Sequence, residues 1–251
     1  MKHVDDSQID ELWKSYKYLW QGYDNNEKLR CMNVGYWDDY TLTIKQANEN
    51  LYCMFAKHLG LMELAEDASF LDVGFGYGYQ LVYWQQALGV RAKIFGRNID
   101  QYQVDYARNL LTECGCPGIE LSHGLAEELP YDDAQFERVA AIECVFHMES
   151  HRFFDQAFRV LKQGGTLAYS TIDFASSLDN KRMDDLVNDL RVRNHFPLLG
   201  EHHANNSCES DIAYLQKLGF DVQVIDFSEH QVDLFPDGDN KKSLFVIAEK
   251  R

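Results

Sequence analysis

The sequence predicts an α/β fold with a mostly parallel seven-stranded sheet whose last strand runs antiparallel. From residue 69 onward, short β-prone runs alternate with helical patterns, which is typical of a parallel sheet with helices on both faces. A glycine-rich turn directly follows the first of these runs. The last two runs have no helix between them, so we expect them to pair antiparallel.

The predicted elements follow in a regular order along the chain. The β-prone runs are residues 69–73, 91–99, 119–124, 138–144, 165–172, 221–228 and 243–250. Apolar periodicity predicts helices at about 77–88, 100–113, 150–162 and 208–218. A turn at Pro236–Asp239 joins the last two strands, and the polar segment at about 174–206 is expected to be an insertion.

Residues 1–60 are expected to form an N-terminal helical cap or lid outside the sheet. Apolar side chains recur at three- and four-residue steps from Ser7 to Tyr23 and again from about Leu42 to Leu59, which predicts two amphipathic helices. The aromatic residues of this segment either close over an apolar ligand or form the face by which the first helix docks. Residues 61–251 then form the main domain.

Composition and charge exclude several function classes. The chain has 251 residues, of which 45% are apolar and 25% charged, as in ordinary globular domains. Asp and Glu number 40 against 24 Lys and Arg, and the net charge of −16 would repel a nucleic-acid backbone. No apolar run reaches the ~20 residues of a membrane-spanning helix, and the start of the chain lacks the apolar core of a secretory signal. We therefore expect a soluble cytoplasmic protein that binds neither nucleic acid nor membrane.

Neither a disulfide framework nor a metal site is predicted. The six cysteines are scattered and form no CxxC pair. A loose group of candidate ligands occurs late in the chain, but its spacing matches no defined metal site; it comprises His202, His203, Cys208 and Glu209. We interpret this group as part of a polar loop.

The glycine-rich turn is the most informative stretch of the sequence. A buried strand runs into it, and glycines stand at positions 74, 76 and 78. Glycine lets the backbone approach a ligand closely, and a turn at the carboxyl end of a parallel strand borders the crevice where open α/β sheets bind ligands. A dinucleotide fingerprint would place a third glycine where this chain has Tyr79, so a nicotinamide cofactor is disfavoured.

With Asp72 two positions before the first glycine, the pattern D-x-G-x-G-x-G resembles motif I of the class I methyltransferases, which bind S-adenosylmethionine. The similarity extends from Asn33–Trp37 to the C-terminus and includes GRNIDQYQVDYAR, GLAEELPYDDAQFERVAAIECVFHM and FRVLKQGGTLAYSTIDF. It is strongest to the branch that methylates natural products and sugars. The resemblance implies a Rossmann-like class I methyltransferase fold. The expected partners are S-adenosylmethionine, a small-molecule acceptor and a second copy of the chain in a homodimer.

The resemblance also implies a set of cofactor-binding residues. These are, in chain order, Asp72, Gly74, Gly76, Gly78, Asn98, Ile99, Gln103, Leu125, Ala126 and Glu143. The carboxylate of Asp72 would hold the amino group of the cofactor, since a charge-assisted hydrogen bond is about twice as strong as a neutral one. Asn98 stands where relatives often carry an acid for the ribose, and Asp100 either substitutes for that acid or caps the next helix.

Three positions depart from the family pattern. Leu125 stands where relatives place an acid beside the adenine amine, Asn98 replaces the ribose-binding acid, and Phe75 is larger than the usual residue. These departures keep an alternative open, in which the protein binds a nucleoside cofactor or its substrate without methylating and acts as a cyclase or a sensor.

Two residues are predicted to act in catalysis. Histidine titrates near neutrality, and His147 follows the fourth strand at the position where related enzymes carry a histidine, so we assign it as the general base and prefer it to His151. Asp173, after the fifth strand, is expected to orient His147 or to bind a substrate hydroxyl. The alternative for His147 is a helix-capping or core histidine. The loop after the fourth strand lacks the signature of enzymes that methylate planar nitrogen, and together with the acidic composition this favours a small acceptor. The expected acceptor atom is oxygen, with nitrogen and carbon as alternatives.

Overall fold

The computed structural model describes residues 33, 35–173, 207–230 and 242–251. The helix predicted from Ser7 to Tyr23, the insertion at 174–206 and the turn at Pro236–Asp239 lie outside these ranges, and they stay predictions together with the domain boundary at residue 60. No helix in the described ranges is long and apolar enough to cross a membrane.

The described residues form the predicted seven-stranded sheet. Its strands are β1 (Ser69–Val73), β2 (Lys93–Asn98), β3 (Glu120–His123), β4 (Phe136–Ala141), β5 (Leu161–Asp173), β6 (Phe220–Asp226) and β7 (Lys242–Lys250). They lie in the order β3-β2-β1-β4-β5-β7-β6. Strands β1 to β5 pair parallel, whereas β7 pairs antiparallel with both β5 and β6. The predicted antiparallel last strand is therefore confirmed.

Five helices connect and cover these strands in the described ranges. They are α1 (Ile44–Leu59), α2 (Tyr79–Val82), α3 (Gln101–Glu113), α4 (Ser150–Val160) and α5 (Cys208–Leu218), and α2 continues as a π-helical turn over Tyr83–Ala87. Each falls within a segment with predicted helical periodicity.

The position of β1 locates the crevice of the sheet. The chain passes from β1 to β2 on one side and returns to β4 on the other, so the order of the strands reverses at β1. Open α/β sheets bind ligands outside the carboxyl ends of the strands at such a switch point. The residues that end β1, β2, β4 and β5 at this edge are Val73, Asn98, Ala141 and Asp173.

Side chains alternate between two cores, one on each face of the sheet. In β1, Phe70 points into the core formed with α1 to α3, whereas Leu71 and Val73 point into the core formed with α4 and α5. Helix α1 belongs to the first core, where its Tyr52 is fully buried and accepts a hydrogen bond at its carbonyl from Trp84 Nε1 at 3.0 Å. The capping box of α1, formed by Thr43 and Gln46, sets its first turn.

The start of β5 differs from the prediction. Helix α4 ends at Val160 rather than at 162, and β5 begins immediately at Leu161, opposite Phe136 of β4. The pairing then shifts register, because the next partners are Arg138 and Thr166. The double glycine at 164–165 therefore lies inside one strand, whereas the sequence pattern predicted that the strand begins at residue 165.

Candidate active site

The glycine-rich turn forms one wall of the crevice. The backbone of Gly74, Gly76 and Gly78 has φ values of 73°, 53° and 85°, in the left-handed region that favours glycine. Gly74 N donates to the carbonyl of Arg97 in β2 at 2.8 Å, which ties the start of the turn to the neighbouring strand. The turn then leads directly into α2.

Glycine is also required here by the space that neighbouring side chains occupy. A Cβ on Gly74 would lie 2.6 Å from Cys144 Sγ, and one on Gly78 would lie 2.8 Å from the Cβ of Ala107. Phe75, which departs from the family pattern, is fully buried in the core with α1 to α3. Gly96 of β2 makes room for it, because a Cβ there would lie 2.7 Å from the Phe75 ring. The large residue at 75 therefore points away from the crevice.

Asp72 is a buried carboxylate whose oxygens lack partners. It is 0% exposed, and neither oxygen has a hydrogen bond of normal geometry within the described part of the chain. Burial raises the pKa of Asp72 well above its usual range, and the nearby Gln80 side chain offsets this only in part. A buried group of this kind costs free energy unless a donor arrives. The ammonium group of S-adenosylmethionine would supply that donor, so the residues present fit the predicted cofactor.

Two further acids surround the end of β4. The pKa of the Cys144 thiol is raised well above its usual range by burial first, and then by the charges of Asp72, Glu143 and Glu127. The thiol donates to Val73 O at 3.2 Å. Glu143 and Glu127 thus lie close enough to act on this thiol, and acidic side chains at this edge of the sheet favour a cationic ligand such as a sulfonium. Glu143 itself has φ of 47°, a backbone strain of the kind that clusters at functional sites.

Asn98 and Asp100 at the end of β2 make local hydrogen bonds. Asn98 is buried, and its Nδ2 donates to Gln103 Oε1 at 2.6 Å and to Gly76 O at 3.3 Å, which ties the glycine turn to α3. Asp100 Oδ1 accepts from Tyr102 N at 2.8 Å and Gln103 N at 3.3 Å, so Asp100 caps α3. Of the two alternatives for Asp100, the structure supports the cap. A ribose-binding role for Asn98 and Gln103 stays a prediction.

The loop after β3 approaches the loop after β4. Leu125 is 38% exposed, whereas Ala126 is buried. Glu127 Oε1 accepts from Glu149 N at 2.8 Å, which links the two loops. Sequence reasoning did not assign Glu127 any role. Its side chain has no local signature because its partner is a backbone amide 22 residues later.

His147 lies in the loop that joins β4 to α4. It ends a short 3₁₀ turn that begins at Val145, and its backbone N donates to Cys144 O at 2.9 Å. Its ring lies 4.3 Å from the ring of Phe146, measured between centroids. The loop places His147 at the carboxyl edge of the sheet, beside Cys144, and its role as a base stays a prediction.

Asp173 lies in a different polar cluster. It is buried at the end of β5, opposite Lys242 of β7. Its charge raises the pKa of Cys208 and of Asp211 in α5, although burial is the larger cause for both. Asp211 accepts from Ser150 Oγ at 2.8 Å. The structure therefore groups Asp173 with α5 and the start of α4, and its predicted contact with His147 stays untested.

His151 belongs to the same seam between α4 and α5. Its ring stacks on Tyr214 at a centroid distance of 4.0 Å and an angle of 4°, and its Nε2 lies 3.5 Å from Asp211 Oδ1. This packing agrees with the preference for His147 as the base. In the described ranges, no group of three or more His, Cys, Asp or Glu residues could hold a metal ion; His202 and His203 lie outside those ranges.

Comparison with known proteins identifies the relatives of this arrangement. Residues 71–169 match the family model of the methyltransferase domain. The chain is 33% identical to erythromycin 3''-O-methyltransferase of Saccharopolyspora erythraea, over 56% of this chain and 45% of that protein. It is also 33% identical to 27-O-demethylrifamycin SV methyltransferase of Amycolatopsis mediterranei, over 55% of this chain and 49% of that protein. The chain thus spans about half the length of these curated relatives.

Solved structures share the fold at lower identity. Geranyl diphosphate C-methyltransferase of Streptomyces coelicolor superposes with a TM-score of 0.72 at 14% identity, covering 96% of this chain and 98% of that one. The [4+2]-cyclase SpnF superposes with a TM-score of 0.70 at 19% identity, covering 97% of this chain and 94% of that one. The predicted Rossmann-like class I fold is confirmed.

The first prediction concerns the contact between Gly74 and Cys144. Gly74→Ala should destabilise the chain and weaken cofactor binding, because the new Cβ meets Cys144 Sγ at 2.6 Å and the backbone has φ of 73°. Gly89→Ala is the matched control: Gly89 has φ of 68° and nothing within 4 Å, so it isolates the backbone cost of about 1–2 kcal/mol. Adding Cys144→Ala to Gly74→Ala should recover part of the lost stability, whereas adding it to Gly89→Ala should recover none. Equal thermal stability of the two single variants would contradict the contact.

The second prediction concerns the pH dependence of stability at Asp211. Burial raises its folded pKa from 3.8 to about 6, so its favourable contribution is complete below 3.8 and is lost as pH rises through 6. Asp211→Asn should therefore gain stability over the unmodified chain between pH 4 and 7, up to about 3 kcal/mol. Ser150→Ala removes a hydrogen bond that lowers this pKa and should move the loss to higher pH. The free energy of unfolding of both proteins is measured with denaturant at each pH. A difference between them that stays constant across this range would contradict the assignment.

Proposed function

We propose that the chain transfers a methyl group from S-adenosylmethionine to an oxygen atom of a small organic molecule, because residues 71–169 match the model of the methyltransferase domain and the fold is shared with methyltransferase structures that hold S-adenosylmethionine or S-adenosylhomocysteine. The observation that carries this proposal is the buried carboxylate of Asp72 beside the glycine turn, which accepts no hydrogen bond of normal geometry from the residues that the structure describes. A site of this chemistry suits a ligand that carries an ammonium group.

The cofactor would lie across the carboxyl ends of β1, β2 and β3. Asp72 would hold its amino group, and the turn of Gly74, Gly76 and Gly78 would pack beneath its methionine part. Asn98, Ile99 and Gln103 would face the ribose, Leu125 and Ala126 the base, and Glu143 the sulfonium side. The acids Glu127 and Glu143 near Cys144 support this placement, because the ligand is a cation.

The chemistry requires orientation of the acceptor and removal of one proton. When bound, S-adenosylmethionine supplies a methyl group on a positively charged sulfur. His147 would receive the proton of the acceptor hydroxyl as that oxygen takes the methyl group from the sulfur. The loops after β3 and β4 fix the geometry, because Glu127 binds Glu149 N and Cys144 packs on Gly74.

The curated relatives support oxygen as the acceptor atom. Both of the relatives described above are named as methyltransferases of a numbered oxygen position on a natural product. The negative charge of this chain, −16, also favours a small acceptor that is neutral or cationic over a polyanion. We propose a natural product or sugar hydroxyl as the acceptor class.

The third prediction tests the cofactor site through Asp72. Calorimetric titration should show binding of S-adenosylmethionine and S-adenosylhomocysteine to the unmodified chain. Asp72→Asn should weaken both by about tenfold or more, since a hydrogen bond to a charged group contributes about 1.5–3 kcal/mol. The same change should raise thermal stability at pH 8, because the raised pKa of Asp72 makes its buried charge unfavourable at high pH. No heat from either ligand at millimolar concentration would refute the proposal.

The fourth prediction tests His147 as the base. His147→Ala should lower kcat at least a hundredfold while the affinity for S-adenosylhomocysteine stays within twofold, because a general base contributes about 10²–10⁴ in the transition state only. The acceptor for this assay is identified by mass spectrometry of small molecules that co-purify with the chain. Unchanged kcat would remove His147 from the mechanism, and a matching loss of affinity would indicate a structural role.

A second candidate function is catalysis on this fold without methyl transfer. The exposed apolar side chain of Leu125 at the base loop favours it, and the same fold occurs in the [4+2]-cyclase SpnF. The two functions differ in stoichiometry. Methyl transfer consumes one S-adenosylmethionine for each product molecule, whereas a cyclase converts its substrate with the cofactor pool unchanged.

A further inference from the structure

We propose that Arg97 is a positioning residue that holds the loop of residues 124–128 in the conformation that receives the base of the cofactor. The inference rests on the proposed cofactor site, because it assigns a role to one residue within it. Arg97 lies in β2 beside the switch point, one residue before the carboxyl end of that strand. The predicted set of cofactor-binding residues does not contain it.

The guanidinium of Arg97 is bound to backbone carbonyls of the loop on three sides. Nε donates to Leu125 O at 3.2 Å, Nη2 donates to Glu128 O at 3.1 Å, and Nη1 donates to His123 O. A planar guanidinium has five N–H donors in a fixed fork, so it can satisfy several carbonyls at once where a lysine ammonium provides a single point charge. The three carbonyls span the whole turn that follows β3.

Because Gly124 has no side chain, it leaves the space that this guanidinium occupies. Its φ is 140°, and a Cβ on it would lie 2.1 Å from Nη2 and 2.5 Å from Cζ of Arg97. Gly124 N donates to Asn98 O at 2.8 Å, so the backbone of the loop is also tied to the end of β2. Any side chain at position 124 would displace Arg97 from the carbonyls.

Arg97 also connects the loop to the glycine turn. Its carbonyl accepts from Gly74 N at 2.8 Å, while its side chain binds the loop after β3. Its strand neighbours are Val73 in β1 and Ser122 in β3. Arg97 therefore contacts both walls of the crevice. Its backbone carbonyl binds the glycine turn, and its side chain contacts the loop after β3. In this sheet order, a cofactor whose amino-acid part lies at β1 and whose ribose lies at β2 places its base at that end.

The experiment compares two ligands that share the adenosine part of the cofactor. S-adenosylhomocysteine has an amino-acid arm, and 5'-methylthioadenosine lacks it. Arg97→Ala should weaken both by the same factor, at least tenfold, with kcat at saturating S-adenosylmethionine within twofold of the unmodified value. Asp72→Asn should weaken S-adenosylhomocysteine alone. If Arg97 only supported folding, Arg97→Ala would lower the thermal stability while the folded protein kept its affinity for both ligands.

Two further variants and a control sharpen the test. Arg97→Lys should lose nearly as much affinity for both ligands as Arg97→Ala, because one ammonium cannot reproduce the fork of the guanidinium. Gly124→Ala should cause a similar loss, because its side chain displaces the guanidinium. Arg91→Ala is the matched control: Arg91 lies two residues before the start of β2 and pairs with Glu66 at 3.3 Å on the surface, so its loss should leave both affinities unchanged.

The outcomes separate this inference from the proposed function. Failure of the unmodified chain to bind either ligand refutes the cofactor site and this role with it. Two outcomes overturn the role of Arg97 and leave the cofactor site standing. In the first, the unmodified chain binds both ligands and Arg97→Ala leaves the affinities unchanged; in the second, Arg97→Ala weakens binding of S-adenosylhomocysteine only. If Arg97→Ala does not fold, Gly124→Ala and Arg97→Lys decide by the same comparison of ligands.

Discussion

The site is organised around a carboxylate that the fold buries without a partner. Asp72 stands near the end of a central parallel strand, so the sheet removes it from water on every side. An unsatisfied buried polar group costs about 1–3 kcal/mol, and the two apolar cores that flank β1 must offset it. A sequence selected for stability alone would replace Asp72 with an apolar residue. Its presence is explained by a ligand that brings a donor and a positive charge.

Pairwise fitting of glycines and larger side chains keeps the crevice open for that ligand. The Cys144 thiol contacts Gly74, the Phe75 ring occupies the space at Gly96, and the Arg97 guanidinium occupies the space at Gly124. Each pair joins two elements that are distant in sequence. The walls of the crevice are therefore formed by packing within the chain itself.

The fold could be predicted from the sequence because its signal is local, whereas part of the site could not. The five-residue run at β1 and the helical periodicity of α3 each lie within one stretch of sequence. The strand, the helix and their order along the chain could therefore be predicted directly. Arg97 has the alternation of an ordinary strand residue, and its partners are backbone carbonyls that have no residue signature. In the sequence, Asp211 has the pattern of a solvent-exposed helix position. In the structure it is buried where α5 meets α4, and it accepts a hydrogen bond there from Ser150. Gly124 after β3 was the one local signal that could have indicated the arginine.

The distribution of charge in the crevice has a consequence for turnover. Glu127 and Glu143 both act on the Cys144 thiol at the end of β4, and acids near the proposed sulfonium would bind a cation more tightly than a neutral molecule. The proposed reaction converts a sulfonium into a thioether, so the spent cofactor has one positive charge fewer than the cofactor that entered. The acids at the end of β4 consequently contribute less to holding the product, whereas Asp72 binds an ammonium that both forms retain. This arrangement favours exchange of spent for fresh cofactor. Such acids would also stabilise the charged ground state, so in the proposed mechanism the rate would come from orientation and from proton removal by the proposed base His147 rather than from the field of these carboxylates.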